Sequence, residues 1–220
     1  MFNTVLILKK NKNHNTKIIN FLIKLKIFKL KKFIISKNDK FPSLKNKKID
    51  ILISYLSPKI VPYSILRKVK YLKINFHPGP PKYPGLGCFN FALLNKDRIY
   101  SVTAHEMSKK VDTGKIYKIK SFKIDCSYDV KKIMKKSYDA MFELFKEIFT
   151  EFKISKNLIY SNIKWKRKPY DRSDFEKIFH IKNIKNKKHL ENIIRATYLK
   201  GYPGPYIKKY GKKFEYIKNE

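Results

Sequence analysis

Cysteine is scarce in this chain: Cys88 and Cys126 are the only two. They lie too far apart for a CxxC pair, so a disulfide framework is not expected, and reduced thiols in a cytoplasmic protein fit best. Arginine is nearly as sparse. Of 52 basic residues only Arg67, Arg98, Arg167, Arg172 and Arg195 are Arg, against 17 acidic residues in all. Readers of bases and phosphates lean on Arg forks, so a net charge of +35 carried by Lys reads first as biased composition. Abundant Ile, Asn, Phe and Tyr fit the same bias, as A/T-rich codons would give. The charge still implies a field that attracts anionic ligands and weakens with salt. No run without charges reaches membrane-spanning length. The apolar start FNTVLIL is short and lacks the small-residue cleavage site of a signal peptide. There is no internal repeat and no low-complexity linker. His14, His105, His180 and His189 have no ligand spacing with a Cys or carboxylate partner, so no metal is expected.

What is present is ample material for a core. Hydrophobic residues make up 43% and aromatic residues 15% of 220 positions, which argues against wholesale disorder. Thr4–Leu8 and Ile49–Ser54 read as buried parallel strands. Asn11 to Asn15 break the first, and a helical pattern runs from Thr16 to about Leu30, with Phe33–Ile35 as a second short strand. That helix could lie on an anionic membrane through its Lys residues, but a core-facing role is the better reading. Pro58 and Pro62 open a helix predicted to end near Lys70, followed by a strand over Tyr71–Asn75. A helix is expected over Cys88–Asn95. Strands are expected over Tyr100–Met107 and Ile116–Ile124, the latter strictly alternating. Val130, Ile133, Met134, Met141, Leu144, Phe145 and Ile148 recur at helical spacing. Alternating strands and helices predict an α/β fold, Rossmann-like, with a mainly parallel sheet and flanking helices. Residues 1–150 form the expected catalytic domain. Residues 151–220 form a small C-terminal extension with a basic aromatic loop, a short helix over Leu190–Tyr198 and a hairpin after GYPGPY.

The chemistry concentrates in residues 71–87, YLKINFHPGPPKYPGLG, and in KKVDTGKI beginning at Lys109. A strand delivers Asn75 and His77 to a stiff Pro/Gly turn, at the carboxyl end where ligands of open α/β sheets bind. A second loop brings in Asp112. One amide donor, one imidazole and one carboxylate are a kit for acyl transfer. Asn75 and a protonated His77 can donate to an oxyanion, one such donor being worth about 3 kcal/mol. Asp112 can orient His77 or relay a proton. Taken singly, Asn-x-His after a strand and Asp before Thr-Gly are ordinary turn residues. Cys88 near a helix start reads as a packed small residue. Trp165, Tyr170, Tyr202 and Tyr206 could stack on a base or simply pack.

Together, Asn-x-His-Pro, Lys-Tyr-Pro-Gly-Leu and Val-Asp-Thr-Gly resemble the formyltransferases that use 10-formyltetrahydrofolate, over roughly residues 49–125. The resemblance implies Asn75, His77 and Asp112 as catalytic residues. It also implies Ser54, Tyr55, Leu56, Lys109, Lys110 and Val111 on the two loops that hold the folate pterin, through backbone groups. The segment LKKNKNHN after the first strand has no Gly, which speaks against the branch that cradles a nucleotide phosphate on a Gly-rich turn. The tail IRATYLKGYPGPYIKKYGKKFEY looks like that of branches acting on nucleotide-linked amino sugars. The expected partners are therefore the folate donor and an anionic amine acceptor, with a possible homodimer and no membrane insertion. Methionyl-tRNA is the alternative acceptor. A non-catalytic basic module binding RNA or anionic surfaces is the second alternative.

Overall fold

The computed structural model describes residues 1–10, 12–44 and 47–218; Asn11, one of the residues expected to break the first strand, lies outside them. Six strands form one sheet in the order β2-β1-β3-β4-β5-β6. These are β1 Phe2–Lys9, β2 Phe28–Ile35, β3 Ile49–Tyr55, β4 Val69–His77, β5 Ile99–Glu106 and β6 Ile116–Lys123. The first four run parallel, while β5 and β6 pair antiparallel. The expected Rossmann-like sheet is present, finished by an antiparallel ribbon. β3 is buried along its whole length, as the Ile- and Leu-rich run IDILIS requires of a strand covered on both faces, and its one charge, Asp50, accepts from the Asn3 backbone and side-chain N–H groups at 2.8 and 2.9 Å.

Helices α1 (Lys12–Lys24), α2 (Tyr63–Leu66), α3 (Cys88–Leu94) and α4 (Val130–Ser155) flank the sheet. The long α4 begins because the Asp129 carboxylate accepts from the Lys132 N–H at 2.7 Å, a side-chain cap. Its apolar stripe places Met141, Leu144, Phe145, Ile148 and Phe149 against Tyr55, Ile74 and Phe76. Full burial of each such side chain contributes roughly 1.5–3 kcal/mol. Beyond α4 come α5 (Arg172–Lys177), α6 (Lys187–Thr197) and a hairpin of β7 (Tyr206–Lys209) and β8 (Lys212–Glu215). Arg195 of α6 ties this segment down by donating to the carbonyls of Tyr128 and Leu93, at 2.7 and 3.2 Å.

Several boundaries differ from expectation: helix α1 begins at Lys12 rather than Thr16, within the Asn-rich stretch expected only to break the first strand. Helix α1 stops at Lys24, because Lys26 takes a left-handed φ of 58° and the chain re-enters the sheet as β2. The run KIFKL fits both periodicities, and the free edge beside β1 decides it. The helix expected from Pro58 to Lys70 is a single turn starting after Pro62, and β4 begins already at Val69. Ile18, Leu22 and Leu25 are buried, so α1 faces the core. Among the described residues no helix is long and apolar enough to cross a membrane.

Candidate active site

Alternation along β4 sends Ile74 and Phe76 into the aromatic core and Asn75 and His77 to the other face. His77, His105 and Asp112 are each 5% exposed or less, yet all three are polar. Burial at that level demands partners, and each has them. Asp112 Oδ2 lies 3.2 Å from His77 Nδ1 and accepts from the Gly85 N–H at 2.8 Å. Asp112 Oδ1 lies 3.1 Å from His105 Nε2. The same His105 nitrogen is 3.1 Å from Asn75 Nδ2.

Backbone carbonyls fix the tautomers, since a carbonyl only accepts. His77 Nε2 lies 3.0 Å from the Tyr83 carbonyl and must carry a proton there. His105 Nδ1 donates to the Glu106 carbonyl at 2.8 Å. Each ring thus turns its remaining nitrogen to Asp112, and a proton taken up by either ring is held against that carboxylate. Burial holds the His77 pKa below its ordinary value, with Asp112 pulling the other way and His105 adding to the depression. Burial pushes the Asp112 carboxyl up, but His77, His105 and the Gly85 amide outweigh it and hold the group below the usual carboxylate range. Burial thus works against charge on His77, while the groups around Asp112 favour its ionised form.

The loops are built to bring these groups in. Asp112 itself takes φ 46°, a left-handed conformation that Asp tolerates and that stores strain at a site. Gly85 sits at φ 83°, where a Cβ would stand 2.3 Å from the Tyr170 carbonyl oxygen. Only glycine lets its amide reach Asp112 there. Above the cluster opens a cavity of about 610 Å³, with Asn75 and Asp112 in its wall and Ser54, Lys110 and Val111 around them. Of the residues expected on the pterin loops, those three reach the cavity. Tyr55 turns its ring into the core and lies 2.8 Å from His14 Nε2 through its hydroxyl, while Leu56 packs against the same core. Lys109 is exposed and, with Tyr55, Leu56 and His77, is not among the lining residues.

Two further residues reach the cluster, His105 and Trp165, neither in the role its sequence context suggests. His105 has no ligand spacing in the sequence, but antiparallel pairing of β4 with β5 puts it directly opposite Asn75. Its strand position, seven residues before Asp112, is the one available signal. Trp165 reaches the cluster from beyond α4. Among the described residues there is no group of three or more His, Cys, Asp or Glu arranged to hold a metal ion. Cys88 is buried and its thiol is pushed up to about 12 by burial, so it packs rather than reacts.

The formyl transferase family model matches residues 6–148. The chain belongs to that family. The bifunctional polymyxin resistance protein ArnA of Wigglesworthia glossinidia brevipalpis is 31% identical over 176 residues, covering 76% of this chain and 25% of that protein. The chain spans about a quarter to a third of the length of the curated relatives it matches first. A sugar N-formyltransferase from Shewanella sp FDAARGOS_354 shares the fold with a TM-score of 0.79 at 19% identity, covering 97% of this chain and 96% of that one. The N-formyltransferase from Helicobacter canadensis, solved with folinic acid and dTDP-3-aminofucose, gives 0.71 at 20% identity, covering 97% and 86%.

Proposed function

We propose that this chain transfers a formyl group from 10-formyltetrahydrofolate to the primary amine of a nucleotide-linked amino sugar. The observation that carries the reading is Asn75 and an anionic Asp112, flanked by two histidines, in the wall of a 610 Å³ cavity. An apolar-walled cavity with a few convergent polar groups suits a pterin. The donor supplies a formyl carbon already bound to a nitrogen that can leave. Transfer breaks that C–N bond, forms one to the acceptor nitrogen, and moves one proton from the acceptor nitrogen to the donor nitrogen.

The residues divide this work. Asn75 turns its amide N–H from His105 toward the formyl oxygen, where negative charge develops. Asp112 faces the cavity and receives the amine proton. His77 Nδ1, 3.2 Å behind it, holds that proton between ring and carboxylate until the leaving nitrogen takes it. The Tyr83 carbonyl already accepts from Nε2, so the transient imidazolium needs no rearrangement. For the acceptor, the matches to a sugar N-formyltransferase and a 4-N formyltransferase cover nearly the whole of this chain and of the matched chains alike, 97% and 96% in each case, and support the sugar reading.

The test is incubation with 10-formyltetrahydrofolate, a panel of nucleotide-linked amino sugars and methionyl-tRNA, read by mass spectrometry. A sugar heavier by one formyl group is expected. Formylated methionyl-tRNA alone would move the acceptor to tRNA, and no product with any amine would overturn the reading.

A further inference from the structure

The family match ends at residue 148, and Trp165, the chain's one tryptophan, lies beyond it. Its indole nevertheless stands against the polar cluster. The ring centroid is 5.0 Å from that of His105 at 85° and 5.8 Å from that of His77 at 71°, the edge-on geometry that aromatic pairs prefer. Its Nε1–H donates to the Gly114 carbonyl at 2.8 Å, two residues past Asp112. Gly114 is itself wedged, since a Cβ there would stand 1.9 Å from the Glu106 carbonyl oxygen.

The backbone on either side of Trp165 is laced to the other catalytic loop. Lys166 N–H donates to the Pro81 carbonyl at 3.0 Å, Tyr170 N–H to that of Pro84 at 2.9 Å, and Leu86 N–H to that of Tyr170 at 3.0 Å. The loop so held carries the Tyr83 carbonyl and the Gly85 amide, the partners of His77 and Asp112. Among the described residues Trp165 belongs to none of the three apolar clusters. A large aromatic placed for packing alone would be expected there.

We infer that Trp165 is a positioning residue for formyl transfer, pinning the Asp112 loop through Gly114 and shielding the edges of both imidazoles from water. The kinetic part rests on the function proposed above; the contact itself rests on geometry alone. The two are therefore tested by different readouts.

An imidazole ring against an indole quenches its fluorescence, and here one indole reports. At a single fixed pH the emission is expected to rise in both His77→Asn and His105→Asn. Emission that neither substitution alters would overturn the contact and the inference with it. In turnover, Trp165→Ala should lower kcat about 100-fold, the scale of an ångström of misplacement, with KM for donor and acceptor little changed. Trp165→Phe keeps a ring but loses the bond to Gly114, and should fall between, with an altered pH profile of kcat. If both variants lose thermal stability while kcat per folded enzyme and its pH profile match the wild type, Trp165 is structural only and the inference fails. Should the wild type formylate nothing, the proposed function falls, and the fluorescence of the two histidine variants still decides whether Trp165 sits on the histidines.

Discussion

Strand β4 has two faces that obey different rules. On one, Phe76 meets Tyr55, Phe145 and Phe149 with ring centroids 5.5, 5.0 and 6.2 Å away. These contacts are numerous, individually small and replaceable by others of similar volume. On the other face, one residue away in either direction, Asn75 and His77 work through single atoms with single partners. Among the described residues no buried side-chain nitrogen or oxygen lacks a hydrogen-bond partner. The apolar face holds the fold by area. The polar face holds a charge distribution by geometry, so substitutions on the two faces should separate stability from rate.

The sharpest separation is expected at His77. His77→Asn retains a polar side chain but has no group that titrates, and should lower kcat by about 10³-fold, within the range typical of general acid–base groups. Its urea midpoint should move much less than that of a core variant, which equilibrium unfolding measures. Across the strand, Phe145→Ala should cost about 3–5 kcal/mol in unfolding free energy while the folded fraction keeps its pH–rate profile. A large rate loss per folded molecule would break the comparison. A third test uses pH alone. The folded pKa values of His77 and Asp112 both lie below their ordinary values of 6.5 and 3.8. The unfolded chain therefore binds more protons at each step, and stability is lost as pH falls. Unfolding free energy against pH should decline in two stages, below about 6.5 and again below about 3.8, and His77→Asn should shrink the first, leaving the part that burial of His14 contributes. The smallest effect is expected far from both faces. Asp129→Ala removes the cap of α4 and should cost about 1 kcal/mol, with kcat unchanged.

Much of this was legible in the residues themselves. IDILIS reads as a buried strand because Ile and Leu occupy both of its faces, with Asp50 the one charge inside it, and α4 reads as a helix from its apolar stripe. Asn75, His77 and Asp112 stand out because Pro and Gly around them dictate rigid loops at a strand end. What could not be read depends on long-range pairing. His105 gains its meaning only from the register that sets it opposite Asn75, and an alternating strand gives no hint of its neighbour. Trp165 is a basic-loop aromatic until the chain folds back over Pro81 and Pro84. His77 behaves differently again: its motif is clear, but the turn of its Nε2 toward the Tyr83 carbonyl, behind the cavity wall, follows from loop geometry alone.

The central claim is that Asp112, kept anionic between two histidines, carries the reaction's proton, and single-turnover formyl transfer by Asp112→Asn tests it most directly. The account predicts a first-order rate at least about 100-fold below wild type, with donor binding by calorimetry and the urea midpoint close to wild type. A rate near that of the wild type in a protein that still binds the donor would contradict it.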